Sequence, residues 1–158
     1  MSQPVGYLLL PLEQFEVDKY LGNWYQIGAI RKWFEPAPKN VKLAINKATD
    51  GLLLLQLELE LMGKVCKTNG SVKINATPTN FTISIPKVIL GININTSFEI
   101  KAVITNANKD YVYLLINRND NSGLHIISRY LSVDDEMTEY LKQLVKGFND
   151  KPELLKFN

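Results

Sequence analysis

The residues best equipped for chemistry are few and far apart. His125 is the only histidine in the chain and Cys66 the only cysteine. A thiol becomes a nucleophile when a neighbouring base or cation lowers its pKa. Nothing in the sequence brings these two together, so Cys66 reads as a buried or half-buried inert thiol and His125 as a packing or polar wall residue. One cysteine also excludes an intramolecular disulfide and an all-cysteine metal site. The close carboxylates are Asp134–Asp135 and Glu58–Glu60. The first pair follows Ser132 at the start of a helical pattern, and the second alternates with leucines. They read as a helix start and a solvated strand face rather than as acid/base dyads. The sequence holds no Gly-rich phosphate loop, zinc spacing or Ser/His/Asp set. The expectation is therefore no catalytic residue, no metal and no cofactor.

The elements that carry these residues are mostly strands. From Leu53 to Leu61 a leucine stands at every second position, which sets five leucines on one face of a strand and mostly polar residues on the other. Val41–Asn46 and Phe81–Ile85 repeat the alternation. Trp24–Ile30, Lys64–Ala76, Phe98–Thr105, Tyr111–Asn117 and Leu124–Arg129 complete a set of eight. The turn-rich links at Thr49–Gly51, Thr77–Asn80, Asn106–Asp110 and Asn119–Gly123 are too short for parallel crossovers. Eight antiparallel strands in simple order can close into a barrel, which removes exposed edges and leaves room for about one small ligand.

One helix follows. Ser132 is the expected N-cap, with Asp134, Asp135 and Glu136 in a first turn that favours negative charge. Met137, Tyr140, Leu141, Leu144, Val145 and Phe148 form one apolar stripe, which predicts a helix over 132–148 packed on the barrel's outer wall. Leu154–Phe157 could add a short edge strand. The expected architecture is all-β: one domain over 1–158, with a lead-in at 1–21, barrel at 22–130, helix at 132–148 and tail at 149–158.

Composition agrees with a packed domain. Of 158 residues, 46% are apolar and 22% charged, so a core can form. The net charge of +2 comes from scattered Lys and Arg with no basic run, which argues against nucleic acid as a partner. Val5–Leu12 is apolar but lacks a preceding basic residue and a small-residue cleavage site, and it reads as a packing segment. As the sequence stands the expected compartment is the cytoplasm, or a secreted or periplasmic-type location if a signal peptide has been removed. Asn69, Asn75, Asn80 and Asn95 begin N-x-S/T triplets, which in so Asn-rich a chain say little about secretion.

The stretch Phe15 to Tyr25 (FEVDKYLGNWY) closely resembles the opening of lipocalins, most like the apolipoprotein D and bacterial lipocalin branch. Gly22-Asn23-Trp24 matches the family's first motif. Lys109-Asp110-Tyr111 meets the second in Asp110 and Tyr111 but has Lys where Thr is usual, and Arg129 stands where the third places an Arg. The resemblance covers roughly residues 13–157. It implies a calyx that binds and transports a small hydrophobic ligand, such as a fatty acid or lysophospholipid. Some relatives ligate haem through a histidine and one synthase uses a cavity cysteine, but a lone His125 and a distant Cys66 give neither much support.

Independently of the family, a barrel needs a plug at one end. Trp24 can fill it, with the Arg129 guanidinium laid over the ring. If the leucine face bearing Leu53, Leu55 and Leu57 points inward, so do Leu43, Ile45, Phe81, Ile83, Phe98 and Ile100. Trp24, Gln26 and Tyr113, with Trp33 and Phe34 in the first loop, complete the expected binding set. This lining suits an acyl chain, isoprenoid or sterol-like molecule. A barrel filled by its own leucines, serving as a protein or membrane interaction module, and a lipid-directed enzyme on the same fold stay open as alternatives. At the open end, Ile30–Glu35 and Lys87–Ile92 set large apolar residues beside cations, read either as a lid or as a site of transient membrane contact. The expected state is a monomer or weak dimer.

Overall fold

The leucine alternation builds the wall of the barrel. In the computed structural model, residues 3–31, 37–48, 52–86, 95–120 and 123–158 are described. After a two-residue strand, β1 (Leu8–Leu9), come eight longer ones: β2 (Gly22–Ile30), β3 (Lys39–Lys47), β4 (Leu53–Leu61), β5 (Lys64–Ile74), β6 (Asn80–Ser84), β7 (Asn95–Thr105), β8 (Tyr111–Arg118) and β9 (Leu124–Ser128). Each pairs antiparallel with the next, and β9 pairs back onto β2. The sheet is thus a closed eight-stranded barrel with two extra strands. On β4, Leu53, Leu55, Leu57 and Leu59 are buried while Leu54 and Gln56 face water, as the period of two requires.

The extra strands cover wall positions that the main strands leave. Leu8 and Leu9 pair with the end of β7, and Lys156–Phe157 (β10) pairs with Gly28 and Ala29 of β2. Two 3-10 turns, Leu12–Gln14 and Val17–Tyr20, run between β1 and β2.

The helix α1 spans Asp135–Lys146. Its N-cap is Asp134 and not Ser132: an Asp134 carboxylate oxygen accepts from the Met137 amide at 2.8 Å. Either residue type can cap, and the position of the first free amide decides between them. Met137, Tyr140, Leu141 and Val145 are buried against the outer faces of β2, β7, β8 and β9. Each such side chain contributes ~1.5–3 kcal/mol by leaving water.

The described residues therefore form two apolar cores, one inside the barrel and one between barrel and helix. This is why all eight residues of β8 are buried, its two faces serving different cores. Bulges sort residues between the two. On β8, Tyr111 pairs with Thr105 but Tyr113 with Ile104, so Val112 is an extra residue. On β7 the extra residue is Lys101, between Ile100 and Ala102, and on β2 it is Ile27, between Gln26 and Gly28. One inserted residue reverses which face every later side chain occupies.

Candidate ligand-binding site

The closed end is built on Gly22 and Arg129. Gly22 has φ +104°, where only glycine is unstrained, and a Cβ there would lie 3.1 Å from Arg129 Nη1. Two residues further along β2, Trp24 is fully buried, its Nε1 donating to the Tyr20 carbonyl at 2.8 Å. The Arg129 guanidinium carbon sits 3.8 Å from the centre of the Trp24 ring. Its N–H groups also donate to four backbone carbonyls: Nη1 to Asn23 at 2.8 Å, Nη2 to Leu21 at 2.8 Å and Lys19 at 3.2 Å, and Nε to Tyr111 at 3.2 Å. Burial lowers the pKa of Arg129 from its ordinary value while the Asp110 carboxylate opposes the shift, and the group stays cationic. The Asp110 N–H donates to Asn106 Oδ1, shaping the β7–β8 turn, and the Tyr111 hydroxyl accepts from the Glu16 amide at 2.9 Å. A planar fork with five donors suits this task; an ammonium does not.

Inside the barrel lies a cavity of about 50 Å³. Gln26, Leu43 and Ile45 line it from β2 and β3, Leu55 and Leu57 from β4, and Phe81, Ile83, Phe98 and Ile100 from β6 and β7. Five other expected residues stand elsewhere or outside the described residues. Leu53 is buried in the same core without reaching the cavity, and Trp24 lies out of the lining, where Tyr20 is found instead. Tyr113 is a correction: the bulge at Val112 turns it outward, where its ring meets Tyr7 at 6.0 Å and Tyr130 at 6.2 Å. Burial, with Tyr7 and Tyr130 nearby, pushes its pKa up to about 12. Trp33 and Phe34 lie outside the described residues, as do most of the two rim loops.

The described lining carries three polar side chains, Tyr20, Gln26 and His125. His125 Nδ1 is 2.7 Å from Gln26 Oε1, and Arg118 Nε donates to His125 Nε2 at 3.4 Å. With Nε2 accepting, the neutral tautomer has its proton on Nδ1 and donates it to Gln26. Burial first, then the Arg118 and Arg31 charges, lower the His125 pKa to about 3. Arg118 is itself only 1% exposed, packed under Gly123, where a Cβ would lie 3.0 Å from its guanidinium carbon. The sequence reading placed His125 on a wall but missed Arg118, whose position in a strand of apolar residues was the available signal.

Among the described residues no cluster of three His, Cys, Asp or Glu could hold a metal ion. Cys66 is half-buried on β5, its thiol 3.9 Å from the Lys64 carbonyl. A larger hollow of about 480 Å³ lies on the outer face of β2–β5. Its wall includes the solvated pairs Lys42–Glu58 and Lys67–Glu58, so the interior, not this hollow, offers the apolar enclosure a ligand site requires.

The family model described as a lipocalin-like domain matches residues 15–150. No curated protein sequence matches significantly. Among solved structures, lobster apocrustacyanin A1 is similar at 18% identity, with 89% of this chain and 77% of that one covered and a TM-score of 0.62. Apocrustacyanin C1 aligns over 99% of this chain and 92% of its own at 16% identity, with a TM-score of 0.65. H1 crustacyanin from the lobster Homarus americanus aligns over 100% and 92% at 15% identity, with a TM-score of 0.61. At such identities the likeness is one of fold, and it does not single out the apolipoprotein D branch.

Proposed function

The chain belongs to the lipocalin-like domain family, and from that premise we propose that it is a non-enzymatic carrier of a small hydrophobic molecule held inside the barrel. The supporting observation is the lining, in which thirteen of the sixteen described residues are aliphatic or phenylalanine. Such a wall gains from covering apolar surface and offers few groups for a sugar or nucleotide. Fatty acids and lysophospholipids are the ligand classes to test first.

The vacant volume, about 50 Å³, is well below the ~300–1,000 Å³ of sites for drug-sized ligands. A carried lipid must therefore displace lining side chains as it enters. The same small volume is the observation that favours a second reading, a barrel filled by its own side chains and used as an interaction module. Mass spectrometry of organic extracts from natively purified protein separates the two. The carrier reading expects a small set of apolar masses retained by this protein and absent from a control protein purified alongside. Identical extracts from both would favour the filled barrel.

A further inference from the structure

The Tyr20 side chain is 2% exposed, and its hydroxyl is buried without a hydrogen-bond partner. The rest of the residue is well provided for. Its ring packs 5.6 Å from Phe15 and 6.5 Å from Phe81, and its backbone carbonyl accepts from Trp24 Nε1. An orphaned buried hydroxyl destabilises the empty protein and contributes nothing to packing that phenylalanine would not. Tyr20 also lines the cavity. Burial raises its pKa, which keeps the phenol protonated and able both to donate and to accept.

We propose that the Tyr20 hydroxyl is the ligand's polar anchor at the closed end, and that the ligand is a neutral apolar molecule bearing a hydroxyl or carbonyl oxygen at its leading end. This rests on the carrier reading and narrows it. The charge of the surroundings excludes an ionised leading group. At the closed end Arg129 lies against Trp24 with its N–H groups given to backbone carbonyls, and the exposed Lys19 and Lys47 pair with Glu16 and Asp18. A carboxylate beside Tyr20 would be buried without a paired cation, which is far costlier than burying a neutral oxygen. The other described polar lining groups, Gln26 and His125, are already bonded to each other. They border the ligand's path without replacing the anchor.

The test compares hexanol with hexane, which differ by one hydroxyl, on the parent protein and on Tyr20→Phe, with affinities from calorimetric titration. Hexane should bind both proteins equally, since the phenol stays unpartnered with it. Hexanol should bind the parent about tenfold more tightly than it binds the variant, because in the variant the buried alcohol has lost its partner. The ligand-free variant should melt no lower than the parent. Equal hexanol affinities for the two proteins would overturn the anchor and leave the carrier reading standing, since both would still bind hexane. A lower melting temperature for the ligand-free variant would also overturn it, by showing that the hydroxyl has a structural partner. If neither probe binds the parent, the carrier reading fails and the anchor with it.

Discussion

Arg129 ties three separate segments to the end of β9: the turn before β2, the first residues of β2 and the first residue of β8. The expected contact with the Trp24 ring is therefore only part of what it does. Arg129→Ala should cost ~2–4 kcal/mol, beyond a ring contact alone, because it strips carbonyls of charged donors. Arg129→Lys should recover little, since one ammonium cannot reach four carbonyls and lie flat on a ring. Trp24→Ala should cost ~3–5 kcal/mol, and the double variant less than the sum, because the two residues touch. Urea unfolding measures all of these, and a neutral Arg129→Ala would contradict the account. His125 gives a pH signature. Its folded pKa, about 3, lies below the unfolded value near 6.5, so between these values the unfolded chain binds more protons. The contribution is complete above about pH 6.5 and is lost as pH falls toward 3. Between pH 7 and about 4.5 this one group should remove ~2–3 kcal/mol. His125→Gln should flatten that part of the urea-midpoint profile, and an unchanged slope would show that the imidazole titrates normally.

Elements were legible wherever a strict period governs them. The β4 leucines and the α1 stripe each stand on the face their spacing predicts. Details set by local geometry were not. The cap is a clear instance, since Ser132 and Asp134 are equally good caps by type. Asp134→Ala should destabilise by ~1 kcal/mol and the exposed Ser132→Ala by almost nothing; thermal melts of the two variants decide it. Bulges were the larger loss. Parity counted along β8 as an unbroken strand sends Tyr113 inward with Tyr111, and the extra residue at Val112 reverses it. On β7 the extra Lys101 moves Ala102 and Ile104 to the outer core and brings Val103 inside. Both bulges occur where strands serve two cores, and apolar residues on both faces erase the alternation that would reveal them. Tyr20 escaped notice for a different reason: it precedes the first barrel strand, in a turn that no strand parity describes.

At the scale of the molecule, closure of the wall and plugging of one end enclose an apolar interior among the described residues, and enclosed apolar surface is what a carrier of apolar molecules requires. The strand pairing closes the wall and the Trp24–Arg129 unit seals one end. The helix packs on the outside, where it stabilises β2, β7, β8 and β9 without taking interior space. The interior in turn is nearly filled, so binding must be accompanied by repacking of the lining, and a measurable change of stability should report it. The most direct test is a melting-temperature and intrinsic-fluorescence titration of the intact protein with fatty acids, lysophospholipids and retinoids. Carriage predicts that at least one class raises the melting temperature, with ~2.7 kcal/mol of added stability at a hundred times its dissociation constant, and shifts the tryptophan emission in the same concentration range. Melting temperature and emission unchanged by every class would contradict it.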